Sequence, residues 1–380
     1  MDTKATTLLK FFEENQNNQF VIPIYQRLYS WKKEQCEQLW DDIIKIGGND
    51  QMNGHFIGSI LYVLDGNTHS SPLLIIDGQQ RLTTITLLLI ALRNHSSDEV
   101  KRKEIESYLI NSNKDGDKKF RLILSESDKD TLLSLIDKDR RKPSEPSLKI
   151  VENFKLFEEW IRKNTDKLET IFKGLEKLMI VWIALKKEKD DPQLIFESMN
   201  SKGIELTKTD LIRNYIIMET EVEKQEDFYN QYWRAMEENF KQSEKQSKRE
   251  DLFSKFVRHY LTIKTRDIPN IKKVYEAFKR YQQERGIETE VLLQDLQKYC
   301  GYFCRIVFKK EENKNLNKAL SFLVDLEMDV VYPLLLELYS DYKDGVLSKA
   351  DFIPIIALIE SYICRRTVCG LGTNSLNKVF

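Results

Sequence analysis

Three long polar side chains, Gln79, Gln80 and Arg81, stand just behind an Asp77-Gly78 pair. They stand just ahead of an apolar run, Leu82-Thr-Thr-Ile-Thr-Leu-Leu-Leu-Ile-Ala-Leu92. A carboxylate, two amides and a guanidinium at the mouth of an apolar element suit phosphoryl chemistry, which asks a protein mainly to position groups and neutralise charge. A helix opening at Gln79 presents unpaired N–H groups and a partial positive charge to the same place, where a phosphate or other anion can sit. Gly78 fits, since a side chain there would crowd both the turn and an approaching phosphate. A plainer reading stands beside this one: Asp77 caps the helix and the glutamines satisfy local backbone groups.

A second polar couple lies upstream, in Phe20-Val-Ile-Pro-Ile-Tyr-Gln-Arg-Leu-Tyr-Ser-Trp31, where Gln26 and Arg27 sit among Tyr25, Tyr29 and Trp31. Arginine offers a bidentate fork to an anion, and the rings offer flat surfaces for stacking a base. An aromatic-rich strand edge explains the rings but not the paired Gln-Arg. Two such couples, Gln26-Arg27 and Gln80-Arg81, suggest one polar pocket. A third polar group, the turn Asn200-Ser-Lys-Gly203, brings an amide, a hydroxyl and the Lys202 ammonium near another helix start. As a plain connector it needs none of the three, although such turns are usually polar.

The elements that must carry these groups follow from periodicity. Leu73–Ile76 is a short apolar run closed by a turn, the pattern of a strand covered on both faces. Residues 79–93 form a helix apolar nearly all round, hence deep in a core. An N-terminal helix, strands at 20–24 and 56–63 and a helix at 32–46 complete the region 1–95. Residues 98–177 then turn helical and charged. A fully apolar strand returns at Leu178–Leu185 (LMIVWIAL). Asp191 and Pro192 suit the cap and first position of a further helix, Gly203 its stop, and Thr207 with Asp210 a capping box on the next. The chain is therefore expected to interrupt its own first domain. That domain spans 1–218, with a core of 1–95 and 178–218 and a helical insertion at 96–177. Amphipathic helices at 227–240, 251–261, 271–284, 291–308 and 316–328 make 219–380 an all-helical domain. The fold class is α+β, with a mixed sheet.

Composition narrows the chemistry. The 59 basic and 60 acidic residues nearly cancel, so no global basic field advertises nucleic acid. The clusters Lys101-Arg-Lys103 and Arg140-Arg-Lys142 read as solvated faces. Five cysteines, at 36, 300, 304, 364 and 369, form neither a disulfide framework nor a zinc pattern. No Gly-Lys dipeptide occurs, so there is no Walker A loop, and any nucleotide must use another cradle. No signal peptide is evident, and no apolar run reaches the roughly 18 residues of a membrane span. A cytoplasmic, soluble bacterial protein is expected.

Four segments, IPIYQRLYSW (22–31), HFIGSILYV (55–63), IIDGQQRLTT (75–84) and FESMNSKGIELTKTDLIRNYI (196–216), occur in this order. In this they resemble the bacterial domain family named for its DGQQR motif, the GmrS-type part of GmrSD type IV restriction enzymes. Similar domains occur in SspE effectors that act on phosphorothioate-modified DNA. The resemblance implies a ParB/sulfiredoxin-like fold, a nucleoside triphosphate as ligand with Mg²⁺, and a regulatory role against modified phage DNA. The tail 359–380 resembles the segment that precedes an HNH-type nuclease in longer members. The last of four histidines is His259, so that nuclease is expected as a separate domain or subunit. On this reading Arg81 and Arg27 clamp phosphates, Gln79 or Gln80 orients water, and Asp77 holds Mg²⁺ or caps the loop. Tyr25, Gln26, Gly78, Asn200 and Lys202 complete the pocket. Two other readings use the same residues: a non-catalytic module that reads modified DNA, and a helical protein that docks a partner.

Overall fold

The computed structural model describes residues 1–64, 71–186, 190–200, 207–241, 246–371 and 376, with backbone only at 199–200, 222 and 246–250. The chain divides into two compact units, Met1–Glu205 and Leu206–Phe380.

The first unit runs β1 (Asp2–Thr7), α1 (Leu8–Glu14), β2 (Phe20–Val21), α2 (Lys33–Gly47), β3 (His55–Leu64), β4 (Leu73–Asp77) and α3 (Gln79–His95). It continues α4 (Glu99–Leu109), β5 (Leu122–Ile123), α5 (Glu126–Ile136), α6 (Leu148–Lys163), α7 (Leu168–Glu176), β6 (Leu178–Leu185) and α8 (Pro192–Asn200). The strands form one mixed sheet in the order β1-β6-β3-β4-β2-β5. The unit is α+β.

The returning strand β6 pairs parallel with β3 and antiparallel with β1. Paired on both sides, it is interior to the sheet, with Leu178, Ile180, Ala184 and Leu185 buried and Met179, Val181, Trp182 and Ile183 half-buried. Three elements differ from the sequence reading. A strand, β1, precedes the N-terminal helix. Its residues DTKATT are mostly exposed, so no apolar period announces it, and its order comes from backbone pairing with Met179–Ala184. The strand expected at 20–24 stops at Val21, because Pro23 has no N–H to give a ladder. The segment expected as a wholly helical insertion also contributes β5, which pairs parallel with β2 and closes the sheet at that edge.

α3 runs through the core. Leu82, Ile85 and every residue of Leu87–Ala91 are at most 1% exposed. Full burial of a Leu or Ile contributes roughly 1.5–3 kcal/mol, so packing rather than helix propensity fixes this element. Its three buried threonines pose no polar problem. Thr83, Thr84 and Thr86 each donate to the carbonyl four residues back at 2.8 Å. Helices α1, α2, α4, α5, α6 and α7 and strands β2 to β6 all contribute to the same core.

The second unit holds α9 (Lys208–Met218), α10 (Val222–Phe228), α11 (Arg234–Phe240), α12 (Gln246–Thr265), α13 (Val274–Arg285), α14 (Thr289–Val307), α15 (Lys314–Asp325), α16 (Tyr332–Lys343) and α17 (Lys349–Val368). No strand occurs among its described residues. α9 falls in this unit, although the sequence reading closes the first domain with it at 218. The capping box is present: Thr207 Oγ1 accepts from the N–H of Asp210 at 3.1 Å, and Asp210 Oδ2 accepts from the N–H of Thr207 at 3.3 Å. Asp210 also pairs with buried Arg213 at 2.7 Å, and Arg213 reaches Glu237 of α11 at 2.9 Å. The helix expected at 227–240 is broken by a π-helical turn at Tyr229–Trp233. From within that turn Trp233 Nε1 donates to Glu237 at 2.8 Å.

Candidate functional site

The site is built where β4 hands the chain to α3. Gly78 is the N-cap of α3, and it sits at φ +95° with no side chain capping the helix. Non-glycine residues avoid that conformation. Space forbids a side chain too: a Cβ on Gly78 would lie 3.0 Å from the carbonyl oxygen of Ser59 and 3.2 Å from Ile60 Cγ1. The glycine lets the helix start press against β3. Asp77 therefore does not cap the helix. Its carboxylate lies 3.6 Å from the Arg81 guanidinium, one turn along.

Arg81 is held by β3. Between Phe56 and Gly58 that strand shifts register against β6, a bulge that inserts one extra residue and re-aims the backbone. Gly58 adopts φ +118°, and a Cβ there would lie 2.6 Å from Arg81 Nη1. The guanidinium thus lies across the glycine, with Nη2 donating to the Ser59 carbonyl. Its Nε is buried without a hydrogen-bond partner among the described residues. Burial pushes the guanidinium's pKa down from its ordinary value, and neighbouring Asp77 works against that shift. Gly58 and Ser59 are absent from the sequence-derived site. The signal was there: an isolated glycine inside the strand pattern HFIGSILYV marks a bulge or a close approach.

The upstream couple meets the α3 start through Gln79 rather than through Gln80. Gln79 Nε2 donates to Gln26 Oε1 at 3.2 Å, and Gln26 Nε2 donates to the Ile76 carbonyl at 3.0 Å. Both side chains are buried. Gln80 turns the other way and braces the 22–31 loop. Its Oε1 accepts from the N–H of Ser30 at 2.8 Å, and its Nε2 donates to the Leu28 carbonyl at 3.3 Å. Tyr25 is buried and Arg27 half-buried on that loop, and burial pushes the Tyr25 phenol well up.

A family model of the GmrSD restriction endonuclease N-terminal domain matches residues 8–217, more than half of the chain. The chain belongs to this family. No curated protein matches it. Membership makes it a component of a restriction and defence system. The match ends inside α9, one residue short of the boundary read from the sequence, although α9 is packed in the second compact unit.

Within the GmrSD N-terminal domain, residues of the insertion hold the 22–31 loop from the far side. Asp128 of α5 accepts from the N–H of Tyr29 at 2.6 Å. Asn153 of α6 donates to the Tyr29 hydroxyl at 3.0 Å and to the Trp31 carbonyl at 2.9 Å. Tyr29 OH also meets Thr84 of α3 at 2.8 Å. Burial pushes the Asp128 carboxyl up, while hydrogen bonds from Ser147 and Tyr29 pull it back. Neither Asp128 nor Asn153 was legible as a site residue, because nothing in sequence shows a contact across a hundred positions. The Asn200 side chain and Lys202 lie outside the described residues.

No helix among the described residues is long and apolar enough to cross a membrane. No group of three or more His, Cys, Asp and Glu among them is placed to hold a metal ion. For Mg²⁺ the donor set at this site is the single carboxylate of Asp77. That fits an ion which arrives with a nucleotide, since Mg²⁺ is commonly held by one or two carboxylates with phosphate oxygens completing its shell.

Proposed function

We propose that this GmrSD N-terminal domain, with a ParB-like core, binds a nucleoside triphosphate with Mg²⁺ at the start of α3. It hydrolyses that nucleotide to regulate a modification-dependent restriction system. The observation that carries the reading is the α3 start itself: a buried helix opened by a left-handed glycine, uncapped by any side chain among the described residues, with a guanidinium fixed beside it. The free N–H groups and the helix dipole favour an anion there. Arg81 and Arg27 clamp phosphates. Asp77 would hold the Mg²⁺, whose chemistry is to neutralise phosphate charge. Gln79, Gln26 and Gly78 shape the cradle, and Tyr25 walls it. Gln80 acts by positioning, because both its polar atoms already hold the loop that carries Arg27. Modified DNA is the signal and an HNH-type nuclease domain or subunit the effector.

The test is hydrolysis and equilibrium binding of all four nucleoside triphosphates with Mg²⁺, with and without modified DNA. Micromolar binding of one or more nucleotides, with turnover that changes when modified DNA is added, is expected. Binding of modified DNA with no affinity for any nucleotide would overturn the proposal in favour of a non-catalytic DNA reader.

A further inference from the structure

The second unit contains a cavity of about 420 Å³ between the end of α12, the 266–270 loop and the start of α16. Its size is that of a small-molecule site. Its floor is apolar, with Ile263, Pro333 and Leu334 among the lining residues. His259 lines it and is 4% exposed. Neither imidazole nitrogen has a hydrogen-bond partner among the described residues, and neither is sealed off as a buried unpaired atom. The ring is instead fixed by its faces, with the Tyr332 and Phe303 ring centroids 5.4 and 6.1 Å away. Burial lowers its pKa to about 4, so it is a neutral donor and acceptor at pH 7.

Charge in the wall is almost fully matched. Arg266 pairs with Glu337 at 2.8 Å and Lys255 with Asp329 at 3.0 Å. Asp267 is exposed and accepts from the N–H of Ile268 at 2.9 Å. Arg258 is the one lining cation without an ion pair among the described residues. Its Nε donates to the Pro269 carbonyl at 2.9 Å, and its two Nη groups have no partner among the described residues. A half-buried guanidinium with a free fork, beside an unpartnered histidine and an apolar lining, matches an oxyanion on an apolar body.

We propose that this cavity binds a small organic anion, its carboxylate or phosphate held by the Arg258 fork and His259 and its apolar part seated on Ile263, Pro333 and Leu334. The site is independent of the nucleotide cradle in the first unit.

The test uses the full chain and three probes: phenylacetate, phenyl phosphate and uncharged benzyl alcohol, each titrated by calorimetry. At least one anion should bind, with the alcohol at least about tenfold weaker, since a charged hydrogen bond is worth that much or more. Whichever anion binds more tightly assigns the headgroup. Arg258→Gln should weaken that anion about tenfold or more. Leu334→Trp, which fills the cavity, should abolish binding, and it keeps the proposal testable if Arg258→Gln fails to fold. Arg81→Ala should leave the affinity unchanged, which separates this site from the nucleotide site. Anions that bind no better than the alcohol, or unaltered binding in Leu334→Trp with a wild-type melting curve, would overturn it.

Discussion

Arg81 and Gly58 act through one guanidinium, and that makes the site testable by a double-mutant cycle. Arg81→Ala removes a charged contact to bound phosphate, worth roughly 1.5–3 kcal/mol. Nucleotide affinity should fall about ten- to hundred-fold, since each 1.4 kcal/mol is about tenfold. Arg81→Lys should recover only part, because lysine lacks the planar fork. Gly58→Ala leaves the arginine in the sequence but places a methyl 2.6 Å from Nη1, so the guanidinium must leave its seat on Ser59. Affinity should drop towards the Arg81→Ala value. Alanine at φ +118° should also cost about 1–3 kcal/mol of stability, whereas Arg81→Ala should change the unliganded melting temperature little. The double variant should bind no worse than Arg81→Ala alone, a strong departure from additivity. Calorimetry with the preferred nucleotide, paired with thermal melts, measures all four corners. Unchanged affinity in folded Arg81→Ala would remove the site. Additive losses in the double variant would show that Gly58 does not act by seating Arg81.

Three further outcomes are expected. Asn153→Ala should lower stability by about 1–3 kcal/mol in urea melts, because it strips the Trp31 carbonyl of its amide donor and leaves the buried Tyr29 hydroxyl with only Thr84 and Cys36 as neighbours. It should also weaken nucleotide binding by loosening the Arg27 loop; a stable variant with wild-type affinity would refute that coupling. His259, its pKa lowered to about 4 by burial and by Arg258 and Lys255, against the pull of Asp329, binds fewer protons folded than unfolded. Stability is then fully present above pH 6.5 and falls by roughly 3 kcal/mol on the way down to pH 4. His259→Gln should flatten the urea-midpoint profile across that window, and an unaltered slope would contradict it. Finally, residues 1–380 alone should not nick modified plasmid. Nicking that disappears on substituting a residue of this chain would reveal a nuclease centre within it.

The sequence alone determined the frame of the site. The buried α3, the glycine at its start and the polar triplet behind it are local features. Periodicity, a Gly at a strand–helix turn and the position of charged groups within an apolar run specify them wherever they sit in a fold. The fully apolar β6 was equally legible, because an unbroken apolar run of strand length between two lysines is a local pattern. Tertiary structure decided the division of labour among the residues. Gln79 and Gln80 are adjacent in sequence and look alike. Yet the turn of the helix sends one to Gln26 and the other to the loop at Leu28 and Ser30. The seat of Arg81 depends on a bulge in β3, and a bulge exists only relative to its partner strand. β1 is mostly polar and β5 only two residues long, and both are strands because a neighbour offers them a ladder. Asp128 and Asn153 reach the 22–31 loop from the insertion, across sequence distances that only a folded core closes.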